Sequence, residues 1–332
     1  MSGRFAPSPT GRLHLGTLRT AVLAWLSARA HDRGFLVRME DLDRVQAAPE
    51  HERSQLLDLA ALGLDHDVEV VRQSERFDRY HDAIETLRAR GLVYDCFCTR
   101  REVLAEIDAS ASAPHLPPGA YPGTCRRLSS RRRAELVAEG RTPALRLSAV
   151  DPATGAATRV EFVDAVAGPY RGGVDDVVLR RNDGVPAYNL AVVVDDAAQG
   201  VSEIVRGDDL ISSTPRQIHL QRLLGVGTPL YGHVPLVLAD DGTRLAKRHG
   251  AVTLGDLTGP MAGATTDAGS VLAELLRSIG LDAVRDDAGR VDPRTSLHAA
   301  SVGFELAAIP HDPVVYVPVE AAPGFELRPA LA

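Results

Sequence analysis

The stretch Arg4-Phe-Ala-Pro-Ser-Pro-Thr-Gly-Arg-Leu-His-Leu-Gly-Thr17 constrains the fold more than any other part of the chain. Pro7 and Pro9 fix φ and favour extended, stiff backbone. Gly11 and Gly16 carry no Cβ, so main chain can approach a ligand closely there. From Thr17 onward Leu18, Ala21, Val22, Trp25 and Leu26 recur at helical spacing. Gly34-Phe-Leu-Val-Arg-Met39 then reads as a strand, apolar on consecutive positions as buried parallel strands are. It ends in the acidic cluster Glu40-Asp-Leu-Asp43. A strand–helix–strand succession starting near residue 4 predicts a right-handed parallel βαβ unit, with ligands at the carboxyl ends of its strands. A turn that feeds a helix N-terminus is an anion site, because free N–H groups and the helix dipole point at it. The turn therefore reads as a phosphate cradle with His14 as donor, or, on these residues alone, as an ordinary turn rich in Gly and Pro.

Composition adds one sharp observation. Of 37 basic residues only Lys247 is a lysine. A general preference for arginine does not explain one surviving lysine, whereas a site needing a compact, mobile ammonium does. At 332 residues the chain is long enough for roughly two domains. No apolar run approaches the roughly 20 residues of a membrane span. The opening Met-Ser-Gly-Arg has no apolar signal region after it, so a cytoplasmic location is expected. A net charge of −7 does not advertise a nucleic-acid partner, although binding depends on local patches. Three cysteines, two of them one residue apart, suggest a metal or reduced thiols instead of a disulfide framework.

Residues 47–92 read as helical, broken at Gly63 and over 65–71, with Ser74 as the N-cap of a helix through Tyr80, Ile84 and Leu87. From Tyr94 the character changes. Cys96-Phe-Cys98 precedes a Pro/Gly/Ala-rich loop, Tyr121-Pro-Gly-Thr-Cys125 and a run of arginines. Between residues 95 and 146 nine arginines face six acids. The run is either an RNA-phosphate contact or a solvated helix face. Short strands are expected over 144–163, and Asp183-Gly184 is a hairpin signal. Val177-Val-Leu-Arg180, Asn189-Leu-Ala-Val-Val-Val194 and Ile204-Val-Arg206 read as strands, and a helix starts at Ser213 or Thr214 with Pro215 in its first turn. A polar loop from Asp240 carries Lys247, and 271–281 is an amphipathic helix. Beyond it no further element is patterned, and disorder is expected in part. The expected division is 1–94 and 177–250 as two halves of one α/β domain, 95–176 as an insertion and 251–332 as a short helical or irregular region.

Taken together, these motifs resemble class I aminoacyl-tRNA synthetases of the glutamyl type, from residue 4 to about 250. Pro7-Ser-Pro-Thr-Gly with His14-Leu-Gly-Thr17 matches the family's HIGH region, and Arg244-Leu-Ala-Lys-Arg248 its KMSKS loop, with Arg244 and Ala246 as departures. Arg206-Gly-Asp-Asp-Leu and Ser213-Thr-Pro-Arg-Gln217 match the stretch between them. The fold implied is a Rossmann-type parallel sheet with a zinc-containing insertion. The chain is most similar to the short glutamyl-queuosine tRNA(Asp) synthetases, since only some 80 residues follow Gly250, where full glutamyl-tRNA synthetases carry a large anticodon-binding domain.

That resemblance implies ATP-dependent activation of L-glutamate without tRNA, with Mg²⁺, then transfer to the queuosine base of tRNA(Asp) by a cytoplasmic monomer. The alternatives are a truncated enzyme charging tRNA(Glu) and a non-catalytic zinc protein binding RNA or nucleotide. His14 and Lys247 are implied as catalytic, and Gly16, Thr17 and Asp208 join them around ATP. Arg4, Phe5, Ala6, Pro7, Ser8, Glu40, Tyr188 and Arg206 are implied for glutamate. Arginine forks suit two carboxylates, and Glu40 suits the ammonium. Cys96, Cys98 and Cys125 supply three thiolates to a zinc that takes four ligands. Donor chemistry alone nominates His115 as the fourth. The family pattern points to Tyr121.

Overall fold

A computed structural model of the chain describes residues 1–109, 120–151, 154–239, 241–243, 245, 252–258, 267–318 and 325–330. His115 and the motif residues Arg244, Ala246, Lys247 and Arg248 lie outside the described residues.

In chain order the elements are β1 (Ser2–Phe5), α1 (Leu15–Ala30), β2 (Gly34–Met39), α2 (Pro49–Ala61), β3 (Val71–Arg72), α3 (Phe77–Ala89), β4 (Val93–Cys96) and α4 (Arg100–Ala109). Next come α5 (Ser130–Ala138), β5 (Ala144–Leu147), β6 (Arg159–Asp164), β7 (Gly168–Gly173), β8 (Val178–Arg180), α6 (Tyr188–Ala198), β9 (Val201–Gly207), α7 (Thr214–Leu224), β10 (Leu230–Val234) and β11 (Val237–Leu238). The rest holds α8 (Leu254–Thr258), α9 (Ala268–Arg277), α10 (Pro293–Ser301), β12 (Val314–Pro318) and β13 (Phe325–Pro329).

One sheet dominates, in the order β3-β2-β1-β9-β10-β6-β7. All its pairings are parallel except β6–β7 at one edge. Two cores flank it. One gathers α1, α9 and α10 over Phe5, Phe35, Val37 and Val205, and the other gathers α3, α6 and α7 over Leu36 and Ile204. The result is a three-layer α/β arrangement. Helix α1 lies between the sheet and the C-terminal helices, which is why most of it, and not one stripe, is buried. The chain passes from β1 to β2 on one side while β9 flanks β1 on the other, so the carboxyl ends of β1 and β9 frame a topological switch point. Among the described residues no helix is long and apolar enough to cross a membrane.

Four expectations change. Residues 189–194 are not a strand but the body of α6. Their valines pack into the second core, and that tertiary burial overrides β-propensity. Ser74 does not cap α3: the cap position is Arg76, and the Ser74 N–H and hydroxyl instead donate to Asp41. The C-terminal region is no loose tail in its described parts. Leu297, Phe304, Leu306, Ile309 and Leu327 are buried in the α1 core, with Asp292 capping α10 through the Thr295 N–H. Beyond α9, read correctly as a helix, α10, β12 and β13 are five to nine residues long, too short for a clear period. Finally, β6 and β7, inside the stretch expected as an insertion, extend the large sheet, while β8 joins β4 and β5 in a separate antiparallel sheet. The polar tie of Asp164 to β10, described below, accounts for the first of these.

Candidate active site

A cleft of about 360 Å³ opens at the switch point. Its lining includes Arg4, Phe5, Ala6, Pro7, Ser8, His14, Gly16, Thr17, Glu40, Tyr188 and Arg206, so every described residue expected around glutamate or ATP lies on it except Asp208. Asp208 opens the short 3₁₀ turn after β9, and its neighbour Asp209 reaches the cleft instead. Thr20, Val205, Leu236 and Val237 also line it, none of them assigned a role from the sequence.

Strand register explains the convergence. Arg4 on β1 stands opposite Leu36 on β2 and Ile204 on β9, and Arg38 and Arg206 follow two residues further on those strands. With a period of two, the three arginines share one face. Helix α6 packs on that face and offers Asp196, which accepts from Arg38 Nη1 at 2.7 Å and lies 3.6 Å from Arg4 Nε. Glu40, fixed by its N–H to the Pro7 carbonyl, accepts from Arg38 Nη2 at 3.3 Å. Burial pushes the Glu40 carboxyl above its usual range, against the opposing pull of Arg38 and Arg4. Burial likewise lowers Arg4, with Asp196 acting in the other direction.

Arg206 is held differently. It is 5% exposed. Its Nε–H donates to His233 Nε2 at 3.1 Å, its Nη2–H donates to the Thr214 hydroxyl at 2.9 Å, and its guanidinium lies over the Tyr231 ring. Among the described residues no carboxylate pairs with it, and Nη1 is buried without a partner. An unpartnered buried cation is costly, and Arg206 lies on the cleft wall.

The turn before α1 is fixed by Gln55, whose amide donates to the Ser8 and Gly11 carbonyls, and by the Ala48 N–H to Pro9. His14 is the N-cap of α1: its Nδ1 accepts from the Thr17 N–H at 3.4 Å, and its ring contacts the Thr17 hydroxyl at 3.0 Å. A Cβ on Gly16 would stand 3.3 Å from Val237, so glycine lets α1 close onto β11. The flanks of the lysine loop are tied to the same place. Leu245 donates its N–H to Val237, and Val252 accepts from the Leu15 N–H, beside a bridge between His14 and Thr253.

A second polar cluster lies at the small sheet. Cys96 ends β4, Cys98 follows it, and Cys125 sits in a 3₁₀ turn entered through Gly123 at φ +87°. The three sulfur atoms lie within 4.8 Å of one another, with Cys98 and Cys125 Sγ 3.3 Å apart. The Tyr121 hydroxyl stands 3.5 Å and 3.4 Å from the Cys96 and Cys98 sulfurs and accepts from the Cys125 N–H at 2.9 Å. A tetrahedral zinc with Zn–S near 2.3 Å needs sulfurs roughly 3.8 Å apart, so this donor set fits such an ion with small adjustment. Asp176 ties the knuckle down, accepting from the Tyr94 hydroxyl, Arg126 and the Ala149 N–H. Asp175 links the Tyr121 N–H to Arg216 on α7. In the arginine run, Arg131 and Arg132 pair with Glu135 and Glu139 along α5, the signature of a solvated helix face.

Sequence reasoning missed Arg38, Asp196, Asp164, Thr214 and His233. The signal for Arg38 was present: an arginine inside an apolar strand needs a buried partner. Asp196, closing a run of valines, is that partner.

Residues 1–260 match the family model of tRNA synthetases class I (E and Q), catalytic domain. A glutamyl-Q tRNA(Asp) synthetase of Nocardia farcinica is 60% identical over 280 residues, which cover 84% of this chain and 85% of the relative. A glutamate–tRNA ligase of Halorhodospira halophila is 42% identical over 257 residues, and there the match spans 52% of the relative. Among solved structures, a glutamate tRNA ligase from Elizabethkingia meningosepticum in complex with its amino acid superposes with a TM-score of 0.70 at 25% identity, over 94% of this chain and 66% of that one. The chain belongs to the class I tRNA synthetases (E and Q).

Proposed function

We propose that the protein activates L-glutamate with ATP, without tRNA, and transfers it to the queuosine base of tRNA(Asp) in the cytoplasm. The observation that carries the reading is the unpaired Nη1 of Arg206 on a cleft shared with Arg4 and Glu40. The Arg4 and Arg206 guanidinium groups and the Glu40 carboxylate on the cleft wall complement an amino acid with two carboxylates and one ammonium. Arg4 and Arg206 take the carboxylates, Glu40 takes the ammonium, Ser8 and Tyr188 hydrogen-bond, and Phe5, Ala6 and Pro7 wall the site.

In the reaction a glutamate carboxylate oxygen bonds to the α-phosphorus of ATP, and the bond to pyrophosphate breaks. No covalent enzyme intermediate forms, so positioning and charge stabilisation do the work. His14, Gly16 and Thr17 border the triphosphate at the start of α1, and Lys247 meets the charge developing on pyrophosphate; Asp208, off the cleft wall, takes no part. Mg²⁺ enters with ATP. An acceptor hydroxyl then attacks the adenylate carbonyl, loses its proton and releases AMP. Cys96, Cys98, Cys125 and Tyr121 hold one zinc, which supplies a structural cross-link to the acceptor-side unit built on β4, β5 and β8. The similarity to the Nocardia farcinica relative, over most of both chains, supports queuosine of tRNA(Asp) as acceptor.

The test has two parts. Glutamate-dependent ATP–pyrophosphate exchange without RNA is expected. Labelled glutamate is expected on tRNA(Asp) carrying queuosine, and neither on tRNA(Asp) lacking it nor on tRNA(Glu). Labelling of tRNA(Glu) alone overturns the acceptor, and absence of exchange overturns the reaction.

A further inference from the structure

Arg206 and His233 stand opposite each other in the β9–β10 register, with Ile204 and Tyr231 paired two residues earlier on the same face. The Tyr231 and His233 rings lie 6.0 Å apart and nearly parallel at 9°. Because the Arg206 Nε–H donates to His233 Nε2, that nitrogen carries no hydrogen and the proton of the neutral ring is on Nδ1. Nδ1 in turn donates to Asp164 Oδ2 at 2.5 Å. Asp164 is fully buried and is fixed on its other oxygen by the N–H groups of Val166, Ala167 and His233. Thr214 Oγ1 lies 3.1 Å from the same Nε2 and accepts from Arg206 Nη2. Two of the three guanidinium nitrogens are thus held by uncharged acceptors, and neither the charge nor the third nitrogen is used up. Burial holds the His233 pKa down against the opposing pull of Asp164, with Arg206 adding to the lowering, in keeping with a neutral ring.

We infer that His233, held in one tautomer by Asp164, is the positioning residue that fixes the Arg206 fork so that Nη1 is presented to the substrate carboxylate. The logic is that of a carboxylate orienting a histidine, used here to aim an arginine. An acid in place of His233 would neutralise Arg206 and compete with substrate. A neutral acceptor orients the fork without quenching it. The inference rests on the reading of Arg206 as a glutamate contact.

The test is ATP–pyrophosphate exchange by the full chain with L-glutamate and ATP varied in turn. His233→Ala should raise the glutamate KM about tenfold or more, as losing a hydrogen bond to a charged group does. The ATP KM should stay within about twofold of the parent, because ATP makes no use of this bond. His233→Gln, whose amide oxygen can accept from Nε, should recover most of the loss. Thr214→Val should give a smaller rise of the same kind. An unchanged glutamate KM in His233→Ala overturns the inference. So does a joint rise of both KM values in the Ala and Gln variants with a fall in melting temperature, which marks a merely structural role. Arg206→Ala separates the two levels: near-normal exchange there removes the underlying reading, whereas lost exchange with a silent His233→Ala removes the positioning role alone.

Discussion

Around the cleft Arg4 and Arg38 share Asp196, Arg38 also meets Glu40, and Arg206 rests on His233 and Thr214. At the knuckle three thiols and a phenol converge, and the Arg146 guanidinium lies 3.8 Å from the centre of the Tyr121 ring. The first cluster carries its own counter-charges, and only Arg206 among its three arginines has no carboxylate beside it among the described residues. The second gathers three thiols and a phenol, which repel once ionised, a repulsion that a cation would relieve. Preorganisation thus differs between the two: the first has a hydrogen-bonded network supplied by the strands, and the second, on the proposed reading, depends on zinc.

The largest effect belongs to Arg206→Ala. Removing one partner of a buried, desolvated charge pair costs about 4 kcal/mol, close to a thousandfold. Glutamate-dependent exchange should fall by that order while the melting temperature changes little, because no acid is left unpaired. Near-normal exchange would remove Arg206 from the site. Next comes the metal. Cys98→Ser, or chelation of the parent, should take zinc from one per chain to none by metal analysis. Transfer to RNA should drop about a hundredfold, as expected when a metal's support is lost, while exchange holds within a few-fold because no cysteine lines the cleft. Equal losses in both assays would show that the two clusters form one unit.

Glu40 gives a smaller, pH-dependent effect. Its carboxyl must be ionised to hold the substrate ammonium, and burial raises its pKa above the ordinary range. A raised pKa means that the proton returns at a higher pH than on an ordinary glutamate. The glutamate KM should therefore climb as pH falls, beginning above that range. Glu40→Gln should start about tenfold higher, as for one lost charged hydrogen bond, and stay flat where the parent climbs. A parent profile that tracks the variant would assign the titration to the substrate.

The same contrast explains what the sequence made legible. Contiguous features were readable: the 4–17 turn, the acids after β2, the C-x-C spacing. Arg4 and Arg206 were readable as ends of apolar strands. What stayed hidden depends on register. Nothing local says that Asp164 reaches His233 across 69 residues, or that Asp196 lies at the last turn of a helix and not past a strand. The valines before Asp196 carry β-propensity that the packed core overrides. The C-terminal elements failed for a related reason, since each buries only a few side chains against α1 and α9 and shows no period of its own.

The smallest effect concerns the fourth ligand, and it decides how far the knuckle depends on metal. The Tyr121 hydroxyl accepts from the Cys125 N–H and stands near two sulfurs, so it serves either as a cap for that N–H or as an oxygen donor to zinc. Tyr121→Phe removes one atom and keeps the ring under Arg146. As a ligand, its loss leaves three thiolates and a position for water. One zinc per chain should remain, bound about tenfold more weakly in chelator competition, the low end for loss of a metal's supporting group. As a cap only, affinity should be unchanged while the melting temperature falls by a few degrees, the consequence of one buried N–H without a partner. In that case His115→Ala becomes the discriminating variant, because imidazole is the commoner companion of three thiolates.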